Sequence, residues 1–183
     1  MTKRFILSLP TYVFICFMTV PAAAHATEII GRDVLIDKLY PITGEPVKTV
    51  NLAIPFAFGS ARLEAAANKQ LDELGAALAS ERMEGLVVGV FGHTDASGPS
   101  AHNAKLSLAR AKSVVRYMVR RFKLVENKIT FAGYGESKPL DPADPYAAVN
   151  RRVEVTVRLP EAKPPMEKNV SEPRSGGTFI INK

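Results

Sequence analysis

Apolar positions between residues 49 and 159 recur with two different periods, which indicates a mixture of strands and helices. Apolar residues alternate with polar ones, or follow one another in short runs, at 49–58, 86–91, 128–132 and 152–159. Such segments are typical of β-strands with one or both faces buried. Apolar residues recur every three or four positions at 63–80 and at about 100–122, and this spacing predicts two amphipathic helices.

Each predicted helix has one apolar face that would pack against a core. In the first helix this face consists of Leu63, Ala67, Leu71, Leu74 and Leu78. In the second it consists of Leu108, Ala111, Val115, Met118 and Phe122, with Ser100 or Asn103 as the candidate N-cap. The order βαβα-ββ predicts an α/β fold, an α+β sandwich with two helices packed on one face of a four-stranded mixed sheet.

The N-terminal 26 residues have the pattern of a secretory signal peptide. Lys3 and Arg4 precede an apolar stretch at 5–20, and Ala24-His25-Ala26 forms an A-x-A cleavage site. An uncleaved membrane anchor is the alternative, because about 20 apolar residues can span a bilayer. Two prolines and a cluster of small residues favour cleavage: Pro10, Pro21 and 22–24.

The remaining chain divides into a domain and two flanking segments. Residues 27–48 are interrupted by Pro41, Gly44 and Pro46 and are predicted to be a linker. Residues 49–159 form the predicted domain. Residues 160–183 are rich in Pro, Lys, Glu, Ser and Gly, so they are predicted to be a disordered tail.

Charge and cysteine content exclude several classes of site. Cleavage after Ala26 would remove Lys3 and Arg4 and lower the formal charge from +6 to +4, which is mildly basic. We expect no nucleic-acid partner for an exported chain of this charge. Cys16 is the only cysteine and lies in the apolar N-terminal stretch, so a cleaved chain would have no disulfide and no thiolate metal site.

A carboxylate and a guanidinium stand out near the start of the second helix. Asp95 follows the strand at 86–91, and Arg110 lies off the basic stripe of the helix, on the opposite shoulder of its apolar face. Such a pair could hold a group that carries both an ammonium and a carboxylate. The alternative is structural: Asp95 caps its loop or the helix, and Arg110 merely pairs with it.

Five separated motifs surround this pair in a fixed order. They are GHTD at 92–95, Asn103, LSLARA at 106–111, GYGE at 133–136 and NRRVE at 150–154. Together they resemble the OmpA C-terminal-like family of peptidoglycan-binding domains, whose members include the Pal lipoproteins and MotB. The resemblance covers roughly residues 52–159.

The resemblance implies non-covalent binding of peptidoglycan in the periplasm, at the wall and near the outer membrane, with no cofactor. By position, Asp95 and Arg110 would hold the amino and carboxylate groups of the diaminopimelate side chain. The supporting pocket would consist of Thr94, Asn103, Leu106 and Arg151. The first loop departs from the family pattern, because residues 56–60 contain neither acid nor amide. We therefore expect that wall of the pocket, at Ala57 and Gly59, to be weaker or built from backbone groups.

Other functions remain as alternatives to wall binding. The chain could be an interaction module of an envelope, secretion or motility assembly, with an outer-membrane or other envelope protein as partner and the oligomeric state undefined. His93, Asp95 and His102 could bind a metal, but loop packing is the preferred interpretation and no metal is predicted. Glu136 and Asp141 are the acids available for wall hydrolysis, but loop acids are usually solvated, so we expect no enzyme.

Overall fold

The computed structural model describes residues 28–42 and 45–160. The predicted signal peptide and, apart from Pro160, the predicted C-terminal tail lie outside these residues. The helices and strands are α1 (Arg32–Leu39), β1 (Val47–Leu52), α2 (Ala67–Leu78), β2 (Val87–His93), α3 (Ser100–Phe122), β3 (Ile129–Gly135) and β4 (Val153–Arg158). Across both described ranges, no helix combines the length and the apolar composition needed to cross a membrane.

The four strands form one mixed sheet in the order β1-β4-β2-β3. Strand β4 pairs antiparallel with β1 and β2, while β2 and β3 are parallel. A parallel pair requires a long crossover connection, and α3 lies within it. In this register Leu52, Gly92, Gly133 and Val153 lie at one edge of the sheet. The chain segments that follow β1, β2 and β3 therefore emerge together at that edge.

Helices α2 and α3 supply the apolar layer that covers one face of the sheet. Leu71 and Leu74 of α2 and Met118 of α3 are buried in one cluster with Val90 and Val155 of the sheet. Burial of each such side chain contributes about 1.5–3 kcal/mol to folding. The predicted α/β architecture, with helices on a four-stranded mixed sheet, is confirmed.

Helix α1 is an element that the sequence pattern did not predict. It lies within the segment interpreted as a linker, and it packs against α2 and β1. Leu35 and Leu39 are fully buried. The segment is also hydrogen-bonded to α2, because Ile30 N donates to Gln70 Oε1 (2.8 Å) and Gln70 Nε2 donates to Ile30 O (3.1 Å). Residues 30–39 therefore pack onto the domain, with Leu35, Ile36 and Leu39 buried in its core.

Strand β1 occupies a different position from the one predicted. It begins at Val47 and ends at Leu52, whereas alternation predicted a strand at 49–58. Beyond the strand, Phe56 forms an isolated bridge with Leu63, which closes a loop. The apolar alternation thus continues into a loop that turns back toward α2.

Two predictions for α3 are wrong. Leu108 was assigned to the core but is 44% exposed, whereas its neighbour Ser107 is fully buried. The helix lies so close to the sheet that a Cβ on Gly92 would be 2.1 Å from the carbonyl oxygen of Ser107, so only small residues fit this contact. The N-cap is Pro99, and neither Ser100 nor Asn103 caps the helix with its side chain.

Candidate functional site

The site lies where the segments after β1, β2 and β3 meet. Strand β2 ends at His93, and Thr94 N donates to the carbonyl oxygen of Gly135 at 2.9 Å. Ala96 N donates to the carbonyl oxygen of Pro145 at 2.9 Å. The Pro-rich connection at 134–149 therefore wraps over this edge of the sheet and holds the turn that carries Asp95.

An open cleft of about 840 Å³ lies between this turn, the first half of α3 and the loop after β1. Its lining residues are Phe56, Phe58, Gly59, Thr94, Asp95, Ser97, Gly98, Pro99, His102, Asn103, Leu106, Arg110 and Arg151. All six residues that the sequence singled out line this one cleft. The structure thus brings the six predicted site residues together, although they come from three separate parts of the chain.

Asp95 is a buried carboxylate with two partners. Oδ1 accepts a hydrogen bond from Ser97 N at 3.1 Å, and Oδ2 accepts one from Arg151 Nη1 at 2.7 Å. Burial alone would raise the pKa of Asp95, but the hydrogen bonds from Arg151 and Ser97 outweigh it and leave the pKa below its usual value. Asp95 is therefore ionised at neutral pH.

Arg110 is partly buried and forms no ion pair within the described residues. Nε donates to the carbonyl oxygen of Ser60 at 3.0 Å, and the guanidinium carbon lies 5.0 Å from the ring centroid of Phe56. Burial lowers the pKa of Arg110, which the nearby charge of Asp95 partly opposes. Within the described residues, Nη1 and Nη2 of Arg110 make no hydrogen bond.

These contacts show which partner each of the two charged groups has. Asp95 does cap its own loop, through Ser97. Its ion pair, however, is with Arg151 and not with Arg110. The pairing of Asp95 with Arg110 that the structural alternative supposed is therefore absent among the described residues, where the two terminal nitrogens of Arg110 make no hydrogen bond.

The supporting residues fix the turn and border the cleft. Asn103 is buried, and its Nδ2 donates to the carbonyl oxygen of Asp95 at 3.3 Å and to the carboxylate of Glu136. Leu106 is partly buried and gives the cleft an apolar wall. Thr94 is buried, and no hydrogen bond of its Oγ1 is found among the described residues.

The loop after β1 positions Arg110 through its backbone. Ala57 N donates to the carbonyl oxygen of Arg62 at 2.9 Å, which closes the loop, and Ser60 presents its carbonyl to Arg110. Gly59 has a φ of +58°, a conformation that favours glycine. Phe58 is fully exposed at the rim of the cleft. This wall contains aromatic and main-chain groups in place of the missing acid or amide.

Asn150 is a site-building residue to which the sequence analysis gave no role, although it begins the NRRVE motif. It is fully buried, and its Oδ1 accepts hydrogen bonds from Leu140 N at 2.7 Å and Asp141 N at 2.9 Å. Its Nδ2 donates to the carbonyl oxygen of Asp144 at 2.9 Å. Asn150 thus fixes the loop immediately before Arg151. Its place in the N-R-R motif was the only sequence feature that pointed to Asn150, and the motif does not show that the side chain is buried.

The residues considered for metal binding or catalysis have other partners in the fold. His93 is buried with Nε2 3.2 Å from Glu154 Oε2, whereas His102 is exposed on the first turn of α3. No group of three or more metal-ligating side chains is found in the described part of the chain. Glu136 accepts from Asn103, and Asp141 Oδ1 accepts from Ala143 N at 3.0 Å within its own loop.

Comparison with known proteins identifies related domains. A family model described as the OmpA family matches residues 55–152, which confirms the resemblance drawn from the motifs. Outer membrane porin F of Pseudomonas fluorescens is 46% identical over 72 residues, which cover 38% of this chain and 22% of the porin. Outer membrane protein A of Shimwellia blattae is 35% identical over 122 residues, covering 60% of this chain and 50% of that protein. The chain thus spans at most about half the length of these relatives.

Among solved structures, the cell wall anchor of the T6SS from Pseudomonas aeruginosa is similar to this chain. Its TM-score is 0.55 at 25% sequence identity, and the match covers 70% of this chain and 92% of that one. The two chains therefore share this fold over most of the residues that the structure describes.

Proposed function

Because the chain belongs to the OmpA family, we propose that it binds peptidoglycan non-covalently and ties an envelope component to the cell wall. The similarity to a cell wall anchor supports this role. The proposed domain comprises residues 49–159, with α1 packed onto it. The protein would be exported by the signal peptide at 1–26 and act in the periplasm, near the outer membrane, without catalysing a reaction.

The proposed ligand group is the diaminopimelate head group of the stem peptide. Its ammonium would donate to Asp95, which is ionised and buried, and its carboxylate would accept from Nη1 and Nη2 of Arg110. The observation that carries the proposal is this arrangement: one cleft contains an ionised acid and a guanidinium that form no ion pair with each other. Charge-assisted hydrogen bonds of this kind are the stronger class in proteins.

The other cleft residues would keep these two groups in place. Arg151 orients the carboxylate of Asp95, and Asn103 holds the carbonyl of the same residue. The Phe56 ring and the Ser60 carbonyl direct the Arg110 fork toward the cleft. A site whose charged groups are already positioned loses less conformational entropy when the ligand binds.

Co-sedimentation with purified diaminopimelate-type sacculi tests this proposal. Asp95→Ala and Arg110→Ala should each weaken binding at least tenfold, since a hydrogen bond to a charged group contributes about 1.5–3 kcal/mol. Asp72→Ala and Arg121→Ala are matched controls, because these residues form an acid–base pair at the other end of α3. The controls should bind like the wild type. Equal retention of all four variants would refute the assigned site.

A further inference from the structure

A second, smaller cleft adjoins the first one. It has a volume of about 300 Å³ and lies between residues 53–56 and the chain around Ala148. Phe56, Arg110 and Arg151 line both clefts, so the two clefts are direct neighbours. A ligand held by Arg110 in the first cleft would therefore lie next to the entrance of the second.

The second cleft is lined by cations. Arg110, Arg151 and Arg152 contribute three guanidinium groups, and no acidic side chain lines it among the residues that the structure describes. Arg151 is paired with Asp95, and Arg152 Nη2 lies 3.6 Å from Glu154 Oε2. The charge of Arg110 has no such partner in the described chain, so the cleft retains a net positive charge.

The guanidinium of Arg152 is buried, and its donors do not all have partners among the described residues. Its side chain is only 7% exposed. Nε donates to Asn51 Oδ1 at 2.9 Å and Nη2 donates to the carbonyl oxygen of Lys138 at 3.2 Å, but the buried Nη1 has no hydrogen-bond partner in the described residues. His93, which also lines the cleft, is buried too, and its Nδ1 likewise lacks a partner there. Unsatisfied buried donors destabilise a fold, and a nearby anion would offset part of that cost.

We propose that this second cleft, which Arg151 and Arg152 line beside Arg110, binds a carboxylate of the stem peptide that lies outside the diaminopimelate head group. The inference rests on the proposed function, because the same peptide would occupy both clefts. A carboxylate fits the donors, since guanidinium groups match its planar shape and its two oxygens. Because the two clefts are neighbours, a second group of the same ligand could reach the second cleft while the head group occupies the first.

Calorimetric titration of the full chain with two synthetic peptides tests the second cleft. Both peptides contain diaminopimelate with a free side-chain head group, and they differ only at a second carboxylate, which is free in one and amidated in the other. The wild type should bind the free acid about tenfold more tightly, because the amide loses a charge-assisted contact. Equal affinities for the two peptides would overturn the proposal.

A substitution at the mouth of the cleft locates the preference. Ala148 is exposed and lines only the second of the two clefts. Ala148→Glu would place a carboxylate there and should abolish the tenfold preference, while Ala148→Gln, matched in size, should keep it. Arg152→Gln should also reduce the preference, provided that its thermal unfolding shows a folded chain. A preference that persists in Ala148→Glu would place the second carboxylate elsewhere and refute the assignment.

The Asp95→Ala variant separates failure of this inference from failure of the proposed function. If both peptides bind the wild type equally and Asp95→Ala weakens both, the second cleft is refuted and the first remains. If the wild type binds neither peptide, the proposed function is refuted and the second cleft with it.

Discussion

The two ends of α3 use the same residue types for different purposes. Near the C-terminal end, Arg121 Nε donates to Asp72 Oδ1 at 2.6 Å, and the Tyr117 hydroxyl donates to the same oxygen at 2.8 Å. In the N-terminal half, Arg110 faces a cleft that contains Asp95, yet Asp95 is paired with Arg151. Asp72 and Arg121 thus form an ion pair between two helices, whereas Asp95 and Arg110 form none with each other.

This difference separates a structural ion pair from the proposed binding site. The ion pair of Asp72 and Arg121 joins α2 to α3, and a ligand would have to break it to bind either side chain. Arg110 instead has one hydrogen bond to a main-chain carbonyl and lies over an aromatic ring, so its fork and its charge remain available. Residue type alone does not distinguish the two cases, because the partner of each charged group decides its role.

The largest expected effect is on the stability of the fold, and it comes from a core residue in the C-terminal half of α3. Met118 is 1% exposed and lies in the core cluster. Met118→Ala should lower the free energy of unfolding by about 2–5 kcal/mol, since it leaves a cavity. Denaturant unfolding would measure this loss, and sacculus binding should be unchanged at temperatures where the variant is folded. Lost binding by the folded variant would show that the two ends are not independent.

The next largest effect on the stability of the fold is expected where the N-terminal half of α3 packs against β3. A Cβ on Gly133 would lie 2.2 Å from the backbone nitrogen of Leu108. Gly133→Ala should therefore push the helix from β3 and destabilise the fold by about 1–3 kcal/mol. Thermal unfolding would measure this loss, with Gly31→Ala as a control, because a Cβ on Gly31 meets open space and its φ is −69°. Equal stability of Gly133→Ala and the wild type would contradict the close contact.

Replacing each arginine by lysine tests the role of the guanidinium fork. Arg110→Lys keeps the charge but removes the bidentate donors, so binding to diaminopimelate peptides should weaken about tenfold. Arg121→Lys is the matched change at the other end and should leave the affinity unchanged. Calorimetry would measure both. An Arg110→Lys variant with wild-type affinity would mean that charge alone is sufficient.

The pKa of Asp95 predicts a dependence of stability on pH. Hydrogen bonds from Arg151 and Ser97 hold this pKa below its usual value despite burial. The carboxylate therefore stabilises the fold above its unfolded-state pKa of about 3.9, and this contribution is lost as the pH falls through the lower folded-state pKa. Asp95→Asn should be less stable than the wild type at pH 7, by about 1 kcal/mol. The difference in the free energy of unfolding should shrink as the pH falls below the unfolded-state pKa of about 3.9; a difference that stays constant would contradict the assignment.

The smallest effect is expected at the exposed ion pair. Arg121→Ala should change the free energy of unfolding less than any of the substitutions above, because the side chain is exposed and water screens its charge. Chemical denaturation of the single and double variants with Asp72→Ala would give the coupling energy between the two side chains. A coupling as large as the loss measured for Met118→Ala would contradict this expectation.

Periodicity predicted the sheet and the two long helices because each has an apolar face. It did not predict α1, whose eight residues are followed by Pro41, Gly44 and Pro46. It assigned Leu108 to the core because helical spacing cannot show that glycines in β2 and β3 bring α3 close enough to bury Ser107 instead. Local pattern thus predicts elements better than the distances between them.

The motifs predicted which residues would meet, and the structure brings all six to one cleft. They did not predict the pairing within the cleft. Asp95 and Arg151 are 56 positions apart, so no spacing rule connects them. The contact between Arg110 and the Ser60 carbonyl depends on the conformation of a loop whose sequence departs from the family pattern.

The most direct test of the account compares two peptides that differ only in the proposed head group. Lysine in place of diaminopimelate keeps the side-chain ammonium and removes the carboxylate that Arg110 would bind. Calorimetric titration of the wild type should show at least tenfold tighter binding of the diaminopimelate peptide, and Arg110→Ala should remove that preference. Equal affinity of the wild type for both peptides would contradict the assignment of this cleft.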